Sequence, residues 1–211
     1  MLPNLGKLSL LGILLLGCLR YGSAIVCPTM SQPLRVINTS GATNLSNAVN
    51  CTEGTVNAVW VGLVAINNTI EVGQGTTLNI VGEVGGGGTD AVIDGASSDR
   101  IFDVGTGAKL QIENATIHGG LAHASSGGGG IRCSGASLVL VDCVFESNMS
   151  NGSAGGGVWM EKSTMVVKGG SFVENTAIGG VGGAVYALES NLTIDNVLLK
   201  GNTALEGGAI Y

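Results

Sequence analysis

The last third of this 211-residue chain repeats itself at a nearly constant interval. The segments "GGGIRCSGASLVLVDCVFESNMS" from Gly128, "GGGVWMEKSTMVVKGGSFVENTA" from Gly155, "GGAVYALESNLTIDNVLLKGNTA" from Gly182 and "GGAIY" from Gly207 fall into one alignment. Ile131, Val158, Val185 and Ile210 share a position, at separations of 27, 27 and 25 residues. Asn148, Asn175 and Asn202 share a second, at 27 and 27. A fixed period of this size means one supersecondary unit stacked on copies of itself, because a single unit cannot bury its apolar face alone.

Each unit reads as three short strands. "LVLVDCVF", "MVVKGGSF" and "LTIDNVLL" give two strand pieces around a turn at "DC", "GG" or "DN", and the "GGxI" piece gives the third. Coils stacked at about 4.8 Å pair every strand with its equivalents above and below. The expected fold is therefore all-β, a right-handed parallel β-helix or solenoid. The repeated Asn falls where the chain turns. Its amide suits a bond to neighbouring backbone or a stacked ladder, so its role is read as structural. Neighbouring strand residues point to opposite faces. If Ile131, Val158, Val185 and Ile210 point inward, the residues after them point out. Those are Arg132, Trp159, Tyr186 and Tyr211. Trp159, Tyr186 and Tyr211 form the candidate binding column, a surface on which sugar rings can stack.

Upstream, strand signals follow at close but uneven intervals: "VNAVWVG", "TIEV", "TTLNIVG", "AVIDG", "RIFDVG" and "AKLQIENATI". "VGGGGTD" and "LAHASSGGGG" read as loops. Composition agrees: 37 Gly, 4% aromatic and only 3 Pro fit short strands and tight turns rather than a core of large side chains. In "TNLSNAVNC", Leu45, Ala48 and Val49 share a helical face and Thr43 or Asn44 can cap it, which predicts a short N-terminal capping helix over the open end of the stack. The chain divides into a signal peptide (1–24), a lead with the capping helix (25–55) and β-helix coils (56–211). The stack runs out after a fresh "GGAIY", so truncation at the C-terminus is expected, with self-association through the open end of the solenoid.

Several features point to export. Lys7 precedes the apolar run "LSLLGILLLGCL", and "GSA" ends at Ala24 with the small residues a signal peptidase needs. A lipoprotein signal with lipid on Cys18 is the alternative. The run is too short to span a bilayer, and no later stretch is long and apolar enough for an anchor. Cleavage after Ala24 removes Lys7 and Arg20 and no acid, which moves the net charge from −6 to −8. An acidic chain with no basic stripe is a poor nucleic-acid binder. The rest holds Cys27, Cys51, Cys133 and Cys143. Of the three pairings open to them, Cys27 with Cys51 and Cys133 with Cys143 are the local disulfides, and buried free thiols are the alternative. N-x-S/T sequons at Asn38, Asn44, Asn50, Asn67, Asn114, Asn151 and Asn191 are candidate glycosylation sites. An eighth, Asn148, occupies the structural Asn position.

The "GGA[ILV]" and "FxxN" tandem repeats resemble the polymorphic outer-membrane protein repeats of chlamydial surface autotransporters. The run "TTLNIVG…AVIDG…RIFDVG…AKLQIENATIHGG" resembles the first coils of pectin-lyase-like right-handed β-helix proteins. The likeness covers roughly residues 43 to 211, with Leu198 in the Phe position of the third repeat. It implies the β-helix fold. It does not imply an activity, because that fold hosts lyases, hydrolases, epimerases, adhesins and spacers.

Chemical motifs are sparse. A lyase needs calcium-binding carboxylates beside a basic residue. Asp94, Asp99 and Asp103 are the candidate metal ligands, with Asp90 and Arg100 nearby, and calcium is the ion such carboxylates would take. Their spacings of 5 and 4 do not keep them on one strand face. The paired Asp motifs of glycoside hydrolases are lacking. His118, His123, Cys133 and Cys143 match no zinc spacing. The reading leans away from an enzyme and needs no cofactor. The chain is expected to be extracellular, secreted or at the cell surface, acting in adhesion or carbohydrate binding. A polysaccharide lyase or epimerase acting on acidic polysaccharide is the first alternative, and a structural spacer in a larger surface protein the second.

Overall fold

A computed structural model describes residues 54–83, 90–123 and 127–211, with the backbone of three short strands, Leu19–Tyr21, Ala24–Val26 and Leu34–Val36. Among these residues every regular element is a strand. The capping helix, Cys27, Cys51, Asn38, Asn44 and Asn50 lie outside the described residues, as does most of the signal segment. Leu19–Tyr21 pairs antiparallel with Ala24–Val26. All other pairings are parallel, and they build a β-helix with three walls and a short fourth strip.

The first wall has seven strands: Leu34–Val36, Gly54–Val61, Thr76–Glu83, Lys109–Glu113, Ser137–Val141, Thr164–Lys168 and Asn191–Asp195. The second has six, from Leu63–Ala65 to Leu198–Lys200. The third has five: Ile70–Val72, Phe102–Val104, Ile131–Ser134, Val158–Glu161 and Val185–Leu188. Leu121–His123, Met149–Asn151 and Thr176–Ile178 form the strip.

Alternation within each strand decides what is inside. Lys109–Glu113 and Ser137–Val141 bury every second residue, and the buried ones stack in columns. Leu78, Leu110, Leu138 and Met165 form one, and Ile80, Ile112, Leu140 and Val167 the next. Ile93, Ile117, Phe145 and Phe172 line the second wall, where the two Phe rings stack at 4.6 Å. Ile131, Val158 and Val185 are in register on the third wall and fully buried, and Ile210 bridges to Val185. Each buried aliphatic side chain contributes about 1.5–3 kcal/mol by leaving water. Phe172 pairs with Leu199, so the repeated Phe position passes to Leu199, while Leu198 pairs with Ser171 and faces solvent. A one-residue slip flips the face, which is why Leu198 cannot hold that place.

The corners repeat as strictly as the walls. Asp142, Gly169 and Asn196 share one corner column, each with positive φ, and so do Gly135, Lys162 and Glu189 at the next. The third turn is thus centred on Asn196 and lies one residue later than the "DN" pair predicts. The residue after each such corner points inward. At a third corner, set by positive φ at Ser147, Glu174 and Gly201, these are Asn148, Asn175 and Asn202. Asn148 Nδ2 donates to Asn175 Oδ1, and Asn175 Nδ2 to Asn202 Oδ1, both at 2.9 Å. Each amide also donates to the second-wall carbonyl of the coil before, at Ile117, Phe145 or Phe172. Each Oδ1 accepts a backbone N–H from the preceding rung, at Gly120, Asn148 or Asn175. Buried polar groups need such partners, and this ladder gives the repeated Asn its structural role. Asn148 is fully buried with both amide hydrogens donated, so its sequon is closed to a glycan.

Candidate functional site

The third wall carries the outward column. Its strands point Arg132, Trp159 and Tyr186 outward beside the buried Ile131, Val158 and Val185, with Tyr211 next in line. The rings of Trp159 and Tyr186 lie 6.2 Å apart at 22°, and those of Tyr186 and Tyr211 6.1 Å apart at 15°. These are near-parallel, offset arrangements of the kind aromatic pairs favour. Trp159 and Tyr186 are half-buried and Tyr211 is exposed. The structure therefore brings all three candidate binding residues together. Trp60, the other indole, is fully buried and bonds the Val92 carbonyl through Nε1.

Arg132 heads the column. Its guanidinium carbon sits 5.6 Å from the Trp159 ring centre, a cation–π contact. Arg132 Nη1 donates to Asp103 Oδ2 at 3.2 Å, and Arg100 Nη1 reaches the same oxygen at 2.9 Å. Arg100 is only 7% exposed. Its Nε and Nη2 donate to the carbonyls of Gly128 and Gly127. Burial lowers its pKa; Asp103 opposes that shift and Arg132 adds to it. Gly127 presses on the indole edge: a Cβ there would lie 2.5 Å from Trp159 Cδ1. No side chain fits at that position.

The candidate metal ligands are not brought together. Asp94 lies on the second wall, where Oδ1 meets His118 Nδ1 at 3.3 Å and the Ala96 N–H at 2.8 Å. Asp99 accepts its bond from the Arg100 backbone N–H in the turn. Asp103 is on the third wall between two arginines. The chain between them turns through Ala96 and Ser97, both with positive φ, so strand spacing does not carry across it. No group of three or more His, Cys, Asp or Glu side chains placed to hold a metal ion occurs among the described residues. Arg100, the basic residue a lyase would need beside those carboxylates, makes internal bonds to Gly127, Gly128 and Asp103.

The expected Cys133–Cys143 disulfide is not formed: both are free, buried thiols. Cys133 points inward from the third wall. Cys143 follows the Asp142 corner, and its Sγ donates to the Ile112 carbonyl. Burial pushes the Cys133 thiol up, and that of Cys143 to about 11. Among the sequons, Asn67, Asn114, Asn151 and Asn191 are exposed.

Sequence reasoning missed the Arg100–Asp103–Arg132 chain. It also missed a second polar ladder, in which Ser163 Oγ takes the Ala136 N–H and Ser190 Oγ takes the Ser163 N–H. The 27-residue spacing of Ser163 and Ser190 was the available signal. Comparisons with protein-family models, curated proteins and solved structures return no match for this chain.

Proposed function

We propose that this chain is an exported, non-enzymatic β-helix protein that binds carbohydrate along the column Trp159, Tyr186 and Tyr211. The outward, near-parallel ring ladder is the observation that carries the reading. Aromatic rings offer an apolar body to sugar C–H groups, and Tyr O–H and Trp N–H offer polar handles to hydroxyls. The rings repeat coil by coil, with centroids 6.1–6.2 Å apart. A row of such rungs suits a polymer better than a free sugar. The resemblance to outer-membrane protein repeats and pectin-lyase-like coils, the leader-like N-terminus and the exposed sequons support a secreted or surface-attached protein.

The test is retention of the purified full chain on immobilised polysaccharides, cellulose and polygalacturonate among them, in affinity electrophoresis. Retention should be lost in Trp159→Ala/Tyr186→Ala while the melting temperature holds. Wild type passing every matrix unretained would sink the reading in favour of a spacer. Calcium-dependent release of unsaturated uronides would replace it with a lyase.

A further inference from the structure

Arg100 stands where the regular stack begins. In the glycine loops, each coil's carbonyls take peptide N–H groups from the coil before. Ala154 and Gly155 accept from Gly128; Val181 and Gly182 accept from Gly155 and Gly156. Gly127 and Gly128 hold the equivalent places one coil earlier. Below them, the backbone reaches Gly129 and Gly130 through the N–H groups of Ile101 and Phe102. Arg100 Nη2 and Nε serve Gly127 and Gly128, at 2.9 and 3.0 Å. A guanidinium fork thus does what peptide groups do in the later coils.

Two carbonyls do not require a buried cation. An amide side chain also carries two donors, and a buried charge is costly unless it is fully paired. The third contact accounts for an arginine. Its Nη1 bond holds the Asp103 carboxylate, and that same carboxylate oxygen holds Arg132 over Trp159. The Arg132 side chain is 37% exposed. Left to itself, a long exposed side chain samples many rotamers, and an anchored carboxylate selects one.

We propose that Arg100 is a positioning residue for the head of the aromatic column, acting through Asp103 on Arg132 and so on Trp159. Arg100 touches no ligand. It makes the outward site rigid before anything binds, using a charge that the repeat itself does not need. Only the binding arm of the test rests on the carbohydrate reading; the relay is read from Trp159 alone.

The chain has 2 Trp, so Trp60→Phe in every background leaves Trp159 as the sole indole. Its emission maximum and its quenching by acrylamide are measured in the full chain. Arg100→Met and Asp103→Asn should each move both signals to the values of Arg132→Met. In the Arg132→Met background, Arg100→Met should add nothing. A role confined to stability would lower the melting temperature in both backgrounds without this dependence on Arg132. The proposal is overturned if Arg100→Met leaves Trp159 at its wild-type values, or shifts it equally with and without Arg132. Should Arg100→Met fail to fold, Asp103→Asn decides, because it keeps both glycine contacts; unchanged quenching there overturns the relay. In the binding arm, Arg100→Met should weaken retention by about tenfold, as expected for losing one charge-assisted contact. Wild type unretained on any polysaccharide overturns the carbohydrate reading and leaves the fluorescence result to judge the relay.

Discussion

In the regular coils, Ser137, Thr164 and Asn191 stack at intervals of 27 residues. In the earlier coils, Thr55, Thr77, Lys109 and Ser137 stack in the same column at intervals of 22, 32 and 28. The walls do not register the difference: Leu78, Leu110, Leu138 and Met165 are all fully buried. What differs is the corners. From residue 128 on, Asn148, Asn175 and Asn202 bond one another, and Ser163 and Ser190 bond the rungs before them. At the same two corners one coil earlier stand Gly120 and Ala136, whose backbone N–H groups donate to Asn148 Oδ1 and Ser163 Oγ. Inward alternation is enough to set the walls. Constant coil length accompanies corners whose side chains bond coil to coil.

If the walls are shared, deleting an inward side chain should cost alike in both regions. Phe172→Ala and Ile117→Ala occupy one column, and each should lose about 3–4 kcal/mol in urea denaturation. A much smaller loss at Ile117 would show the early coils to be loosely packed.

The corners should then part company. Asn175→Ala strands the Phe145 carbonyl and two groups of Asn148, at about 3 kcal/mol, visible as a lower thermal midpoint. At Gly120, in the same column, adding a side chain is what does harm: a Cβ would lie 2.1 Å from the Gly129 carbonyl oxygen. Gly120→Ala should destabilise by about 1–3 kcal/mol. A neutral Gly120→Ala would mean that the early corner has slack.

Cys143 sits at the junction of the two regions. Its folded pKa of about 11 stands above the ordinary 9.0, so its contribution is whole below pH 9 and is lost as pH rises through 11. The unfolding free energy from urea denaturation should fall over that window by ~2–3 kcal/mol, and Cys143→Ala should lose less across it. Equal slopes for both proteins would remove Cys143 as the cause.

The smallest effect concerns a strained corner. Lys162 has φ of 48°, while Gly135 holds the same place one coil earlier. Lys162→Gly relieves a left-handed side chain but adds unfolded-state freedom, leaving a net gain of about 0.5 kcal/mol by chemical denaturation. A loss would show that the Lys162 contacts with Glu161 and Glu189 outweigh the strain.

The same division explains what could be read in advance. Where the period was constant, spacing alone placed Ile131, Val158 and Val185 inside, Trp159 and Tyr186 outside and the three Asn residues at a corner. Upstream, strand signals were visible, but uneven spacing hid their register. Asp94, Asp99 and Asp103 are separated by a turn whose path depends on Ala96 and Ser97 adopting positive φ, which no side-chain pattern announces. Arg100 was read only as a basic residue beside the candidate carboxylates. Its burial depends on two carbonyls that the chain reaches only 27 and 28 residues later. Cys133 and Cys143 looked close along the chain, yet Cys133 lies within a third-wall strand and Cys143 follows the Asp142 corner beyond the next wall.

A coil that returns to its own starting point, one rung higher, has a consequence for inheritance. Neighbouring units such as those at Gly155 and Gly182 meet almost identical surfaces above and below. Duplication or loss of one unit by unequal recombination would keep the strand register of the remaining coils. Such an event would also lengthen or shorten the outward column by a whole rung, so reach could be tuned by copy number while the coil path stays the same.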